Sequence, residues 1–160
     1  MYISWEDFKR NIEEFTTLSD EINDNWILHK SEELHQSYLT KKKVIEVESL
    51  VITIEYHIAY SISYSTPILC LNCWRQDGTL LSMEDCWKIL NFDDSDDMYS
   101  TLTQLDHPVL LRPFLTLHPC KTAELLQRMF LSSKNLVVSW LSAIGPSVKL
   151  DVDLAYARLT

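Results

Sequence analysis

The residues of this chain best suited to covalent chemistry lie in the stretch Leu115-Thr116-Leu117-His118-Pro119-Cys120-Lys121-Thr122. A thiol used only for packing has no reason to follow a proline at what reads as the mouth of a helix. Pro119 disfavours helical dihedrals at His118 and so pins an extended-to-helix transition to one place. Cys120 then falls at or just before the first helical turn, close to backbone N–H groups that the helix leaves unpaired. The positive end of a helix lowers a thiol's pKa and can steady an oxyanion. Lys121 adds positive charge next door. The pattern predicts a nucleophilic thiolate at Cys120, set against the plainer reading of a half-buried thiol beside a helix cap. His118 precedes it by two residues in an extended segment, a spacing that lets both side chains face one side. That makes His118 a candidate base or hydrogen-bonding group.

The other cysteines read differently. Cys70 and Cys73 form a CxxC, a spacing shared by zinc and redox sites. They lie in the apolar run Pro67–Trp74, which suits a buried strand, and residues three apart on a strand face opposite sides. No second CxxC or HxxxH completes a metal site, so packed thiols are expected, with no metal and no cofactor. Cys86 falls in an apolar helical pattern. A cysteine hydrolase would need a base brought from elsewhere; His57 and His107 are available, but no spacing carries either to Cys120. His57 is expected to point from the wetter face of a sheet. The acidic run 91–97 hints at calcium. Read from Asp93, however, Met98 and Gln104 stand where an EF-hand loop needs glycine and glutamate. A solvated acidic loop is the expectation there.

These residues need a frame to hold them. Residues 4–23 predict a helix, because Trp5, Phe8, Ile12, Phe15, Leu18 and Ile22 recur at three- and four-residue steps. Ser4 with Asp7 opens it as a capping-box-like start. Acids outnumber bases along it, so packing on a sheet is favoured over an anionic membrane surface. Trp26–Lys30 reads as a short strand and the run Lys41-Lys42-Lys43 as a solvated turn. From Leu50 to Tyr64 every even position is apolar or aromatic, while Thr53, Glu55, His57, Ser61 and Ser63 stand among the odd ones. That is the period of a long strand with one covered face. A turn at 63–67 and a strand over 67–74 follow. Ser82 and Asp85 open a short helix. After Leu117 come two helices, the second stopped by Gly145-Pro146. The tail from Lys149 alternates and reads as either strand or helix. The layout is α+β: one helix, an antiparallel meander sheet, then helices.

The bulk numbers narrow the function. At 160 residues, with 46% hydrophobic and 23% charged, the chain reads as one globular domain spanning 1–160. Two glycines argue against a phosphate-binding loop. A net charge of −9 without a basic stripe argues against nucleic acid. No apolar run approaches the roughly 18 residues of a membrane span, so stable membrane insertion is not expected. The reading is a cytoplasmic protein.

The His-Pro-Cys joint, followed by threonine and a helix, stands behind a helix and meander that contain Tyr60-Ser61-x-x-Tyr64-x-x-Pro67. The combination resembles the autophagy branch of the ubiquitin-like-conjugating enzymes. That resemblance implies a ubiquitin-conjugating-enzyme-like fold in which Cys120 carries a ubiquitin-like modifier as a thioester. It implies three partners: the activating enzyme autophagy-related protein 7, the modifier autophagy-related protein 12, and autophagy-related protein 5, whose lysine receives the modifier. Recruitment to the forming autophagosome membrane would go with that role. The branch also holds a lipid-conjugating member that acts on phosphatidylethanolamine. It is much longer, with insertions and a membrane-sensing N-terminal helix that this sequence does not display. Ordinary ubiquitin-conjugating enzymes carry His-Pro-Asn with the cysteine several residues later, so their oxyanion asparagine has no counterpart here. The helix amides, His118 and Tyr64 are candidates to replace it, and Asn72 is a weaker one. The plainer reading of Tyr64 is the last core tyrosine of an alternating strand. A catalytically silent binding module of the same fold is the rival function. An enzyme of this kind can bind its target through a sheet edge, for which the strand 50–64 and its neighbour are candidates.

Overall fold

The computed structural model describes residues 2–91, 102–129 and 131–160, and for Cys120 and Lys121 the backbone alone. Helix α1 runs Trp5–Ile22. Ser4 caps it in extended geometry (φ −69°, ψ 159°), accepting the Asp7 N–H, while its own hydroxyl donates to Asp7 Oδ2 at 2.8 Å. The stripe Trp5, Phe8, Ile12, Phe15 and Leu18 is buried. Behind it lies one antiparallel sheet of β1 (Ile27–His29), β2 (Tyr38–Val47), β3 (Leu50–Ser61), β4 (Thr66–Arg75), β5 (Leu102–Asp106) and β6 (Pro113–Leu117). Its spatial order is β1-β2-β3-β4-β6-β5. The even residues Ile52, Ile54, Tyr56, Ile58 and Tyr60 of β3 share one buried cluster with the α1 stripe. Each such fully buried side chain contributes roughly 1.5–3 kcal/mol. Helix α2 (Met83–Leu90) comes after β4, and α3 (Pro119–Met129) and α4 (Leu136–Ile144) come after β6; α3 packs on β4, and α4 on α1 and α3. The short strand β5 had no signal in the reading of the sequence.

Several expectations are corrected. Lys41, Lys42 and Lys43 are not a turn but the middle of β2. Acidic partners make strand possible there: Lys41 Nζ donates to Asp24 Oδ1, while the two bonds from Lys43 Nζ, to Asp151 Oδ2 and to the Lys149 carbonyl, are both 2.7 Å. The long strand stops at Ser61, so Ile62 and Tyr64 are exposed turn residues although they continue the alternation. The odd-numbered face of β3 is not wet along its length. His57 is 2% exposed, because Ala59, Ile68, Cys70 and Phe114 form a second apolar cluster on that side, with Tyr38 and Leu110 packed on it. Strand β3 is also no sheet edge, being flanked by β2 along Leu50–Ile58 and by β4 along Ile52–Ser61. The acidic run beyond Asn91 lies outside the described residues.

The second apolar helix ends at Ile144, but Gly145 keeps right-handed dihedrals and enters a 3-10 turn, Gly145–Val148. Glycine is required there by proximity: a Cβ would meet the Leu150 carbonyl oxygen at 2.6 Å. The tail is neither strand nor α-helix. It forms a 3-10 segment, Leu154–Leu159, that buries Tyr156 against Phe15 with ring centroids 4.4 Å apart.

Candidate active site

Strand β6 delivers the joint. It pairs with β5 along its length and with β4 at Cys70↔Thr116 and Leu71↔Leu115. Leu117 is buried, His118 is half-buried, and α3 opens at Pro119. Proline suits a first helical position, since its missing N–H would have no intrahelical partner and its φ is already helical. The backbone of Cys120 therefore lies in the first turn of α3, where N–H groups remain outside the helical ladder. The turn is anchored from beneath, because buried Thr122 accepts the Trp140 indole N–H from α4 at 3.3 Å. The thiol of Cys120 and the ammonium of Lys121 lie outside the described residues.

Tyr64 comes to this joint from the opposite side of the sequence. Its ring centroid stands 6.0 Å from the His118 ring, with the planes at 78°. The tyrosine sits in the β3–β4 turn and is 40% exposed, so it is not a core residue. The turn is held by the segment before α1: the Ile3 N–H donates to the Ser65 carbonyl, and the Tyr60 hydroxyl to the Ile3 carbonyl, both at 2.9 Å. Ser65 takes the left-handed conformation that reverses the chain (φ 49°). Neither the Ile3 clamp nor the Trp140–Thr122 bond was legible in the sequence, because each joins residues whose spacing carries no local pattern.

The remaining candidates go elsewhere. Asn72 shares the strand parity of Cys70, on the face away from α1, and lines a groove with Leu80, Gln104 and Phe114. His57 and His107 meet each other, with Nδ1 and Nε2 3.2 Å apart, on that same face. Cys70 and Cys73 point to opposite sides, Cys70 into the second cluster and Cys73 into the main core. Burial pushes the Cys70 thiol up to about 12, despite a hydrogen bond from Thr116. Cys73 and Cys86 are both buried, and the hydrogen bond between them together with burial holds Cys73 strongly protonated. None of these three is an accessible thiolate. Among the described residues, no three His, Cys, Asp or Glu gather as metal ligands would.

The arrangement is thus an imidazole and a phenol, both able to donate or accept hydrogen bonds, flanking a strand-to-helix joint that carries a cysteine. Such a set can hold a tetrahedral oxyanion or orient an incoming amine. Residues 6–154 match the family model of the autophagocytosis associated protein, active-site domain. The ubiquitin-like-conjugating enzyme ATG10 of Homo sapiens is 37% identical over 141 residues, covering 81% of this chain and 64% of that protein. The protein of the same name from Dictyostelium discoideum is 33% identical, covering 64% of this chain and 53% of its own length. This chain therefore spans less than two thirds of the length of either relative. A crystal structure of the autophagic E2 Atg10 superposes with a TM-score of 0.56 at 21% identity, over 89% of this chain and 94% of that one. The shared fold and the match across nearly the whole chain show that this protein belongs to the autophagocytosis-associated active-site domain family.

Proposed function

We propose that the chain, as a single catalytic domain over 1–160, is a ubiquitin-like-conjugating enzyme of autophagy that uses Cys120 as nucleophile and His118 and Tyr64 as its supporting groups. The observation that carries this reading is the meeting of Tyr64 and His118 at the mouth of α3, in a chain of this family. The Cys120 thiolate attacks the thioester carbonyl that joins the modifier's C-terminus to the activating enzyme. A C–S bond forms on Cys120, and the activating enzyme's thiolate leaves. A neutral lysine amine of the substrate then attacks the same carbonyl. The C–N bond forms, the Cys120 thiolate departs, and the amine gives up its proton. His118 and Tyr64 hold the oxyanion or position the amine. The name shared by the relatives favours autophagy-related proteins 7, 12 and 5 as activating enzyme, modifier and substrate, and work in the cytoplasm beside the forming autophagosome.

Lipid conjugation is the weaker reading. The apolar stripe of α1 is buried in the core and so is not free to enter a bilayer. Among the described residues, no helix is long and apolar enough to cross a membrane. Substrate pairing falls to β2 in place of β3: β1 covers only Tyr38–Thr40, leaving the outer side of residues 41–47 without a strand partner among the described residues. The test is incubation with the activating enzyme and modifier, followed by electrophoresis with and without reductant. A reductant-sensitive adduct is expected with the native chain, a more persistent oxyester with Cys120→Ser, and none with Cys120→Ala. A labile adduct on Cys120→Ala would sink the proposal.

A further inference from the structure

Away from the joint, on the sheet face opposite α1, two histidines are buried where no part of the conjugation chemistry needs them. His57 of β3 and His107, which follows β5, are 2% and 0% exposed. Their protons are ordered by their neighbours. His107 Nδ1 accepts the N–H groups of Val109 and Leu110, each at 3.1 Å, so its proton sits on Nε2. That Nε2–H donates to His57 Nδ1 at 3.2 Å, which puts the His57 proton on Nε2, and this in turn donates to Glu55 Oε1 at 2.8 Å. The chain of bonds runs one way, from the loop after β5 to a carboxylate on β3. Every ring nitrogen is satisfied with both imidazoles neutral.

The surroundings favour that state. Phe114 of β6 lies against both rings, at 4.8 and 5.1 Å, and the Arg112 guanidinium stands 5.5 Å from the centroid of the Phe114 ring. Tyr38 of β2 stacks on His57 and in turn carries His29 of β1 at 4.6 Å. Cys70 of β4, protonated, stands in register beside His57 and accepts from Thr116 of β6. Glu55 is the one acid facing the pair in these contacts, while His29 and Arg112 oppose a positive ring. Burial, the neighbouring histidine and Arg112 lower His107 to about 3; burial also lowers His57, against the pull of Glu55.

Position gives the pair its meaning. Among the described residues, the ladder between β6 and the central sheet holds two register pairs, both with β4. The bond from His57 reaches past β4 to the β5–β6 turn, where the His107 N–H also donates to the Arg112 carbonyl at 2.9 Å. It is a further attachment of the hairpin whose second strand runs directly into His118. We propose that His57 and His107 are positioning residues, a proton-ordered latch that holds the β5–β6 hairpin, and with it the His118-Pro119-Cys120 joint, against the central sheet, and that opens when either ring takes a second proton. On His107 that proton would go to Nδ1 and face two N–H donors; on His57 it would face the Nε2–H of His107. Donor meets donor in both cases. The inference rests on the proposed function for the importance of the joint, and not for the latch itself.

Amide hydrogen exchange on the full chain, corrected for intrinsic rates, tests the latch without modifier or activating enzyme. A failed adduct assay therefore leaves this result standing, and the reverse holds too. If opening lets one ring titrate at its free value, exchange at residues 114–118 should quicken by about thirtyfold between pH 7 and pH 5, ahead of β2 and β3. His107→Asn keeps an acceptor for the loop amides and cuts the bond to His57. In that variant, residues 114–118 should already exchange fast at pH 7, with a flattened pH profile. Ring nitrogen spectra of the native chain at pH 7 should show both rings protonated at Nε2. The proposal is overturned if either ring carries its proton on Nδ1, or if β6 loosens only together with the whole sheet. Equal protection of β6 in the native chain and His107→Asn would overturn it as well. The native pH series decides the matter even if the variant does not fold.

Discussion

Tyr64 and His118 are the residues on which the chemistry can be tested one atom at a time. The phenol stands in an exposed turn rather than in the core, so removing its hydroxyl should cost little stability, within about 0.5 kcal/mol. Loss of an oxyanion donor, by contrast, typically costs about 3–4 kcal/mol, a hundred- to a thousandfold in rate. Tyr64→Phe keeps the ring against His118 and deletes only the oxygen. Transfer to lysine is expected to slow clearly while thioester loading and melting temperature stay near native, as single-turnover assays and a thermal melt would read. Unchanged transfer would leave Tyr64 as a packing partner of the imidazole. His118→Ala should slow transfer more than loading. Equal slowing of the two steps in a pulse-chase assay would instead assign His118 to activation of the thiol.

At the scale of elements, the joint depends on helices that the sequence announces singly and that buried polar groups join in pairs. Asn135 is such a group. Its carbonyl oxygen caps α4 by accepting the Val138 N–H at 3.1 Å, and its amide donates to the Asn11 carbonyl of α1 at 3.0 Å and to Glu14 at 3.1 Å. Asn135→Ala removes the cap and both bonds to α1, an expected loss of about 1–2 kcal/mol in denaturant unfolding. Asn135→Asp keeps a cap acceptor but sets a carboxylate against that carbonyl and Glu14, so it should not rescue. The helical stripe of α1, the capped start of α2 and the alternation of β3 were legible because each is a local period. Asn135 was not, since its partner lies on the first helix and nothing near it in the chain records the contact. The end of β3 was misread for a related reason. Alternation at Ile62 and Tyr64 persists in the sequence after the hairpin has left the sheet, and the left-handed Ser65 marks the turn only in three dimensions.

For the whole molecule, the buried histidines set the response to acid. In the unfolded chain an imidazole titrates near 6.5, while in the folded protein His107 is held to about 3 and His57 is also lowered. Between those values the unfolded state binds more protons, so stability is complete above about 6.5 and is lost as the pH falls. At pH 5 His107 alone should cost about 2 kcal/mol relative to pH 7, by linkage over roughly 1.5 pH units. Urea midpoints measured at the two pH values would show it. The lowered carboxylates Asp7 and Asp151 contribute their own loss only nearer and below 3.8, so the two windows separate. A flat profile from pH 7 to pH 5 would mean that the pair titrates alike in both states.

What the sequence determined by itself was whatever a local pattern can encode. The period of α1 and of β3, the opposite facing of Cys70 and Cys73, and the proline that starts α3 one residue before Cys120 all follow from the spacing of neighbours along the chain. Tertiary structure decided which distant groups meet. It brought Tyr64 to His118 by closing a turn that Ile3 clamps, and it turned three lysines into strand by supplying Asp24 and Asp151 as partners. It also buried His57 on a face that its polar neighbours in sequence marked as wet, because Phe114 and His107 arrive there from a later hairpin. A side chain's own alternation says which way it points; only the elements packed above it decide whether water is there.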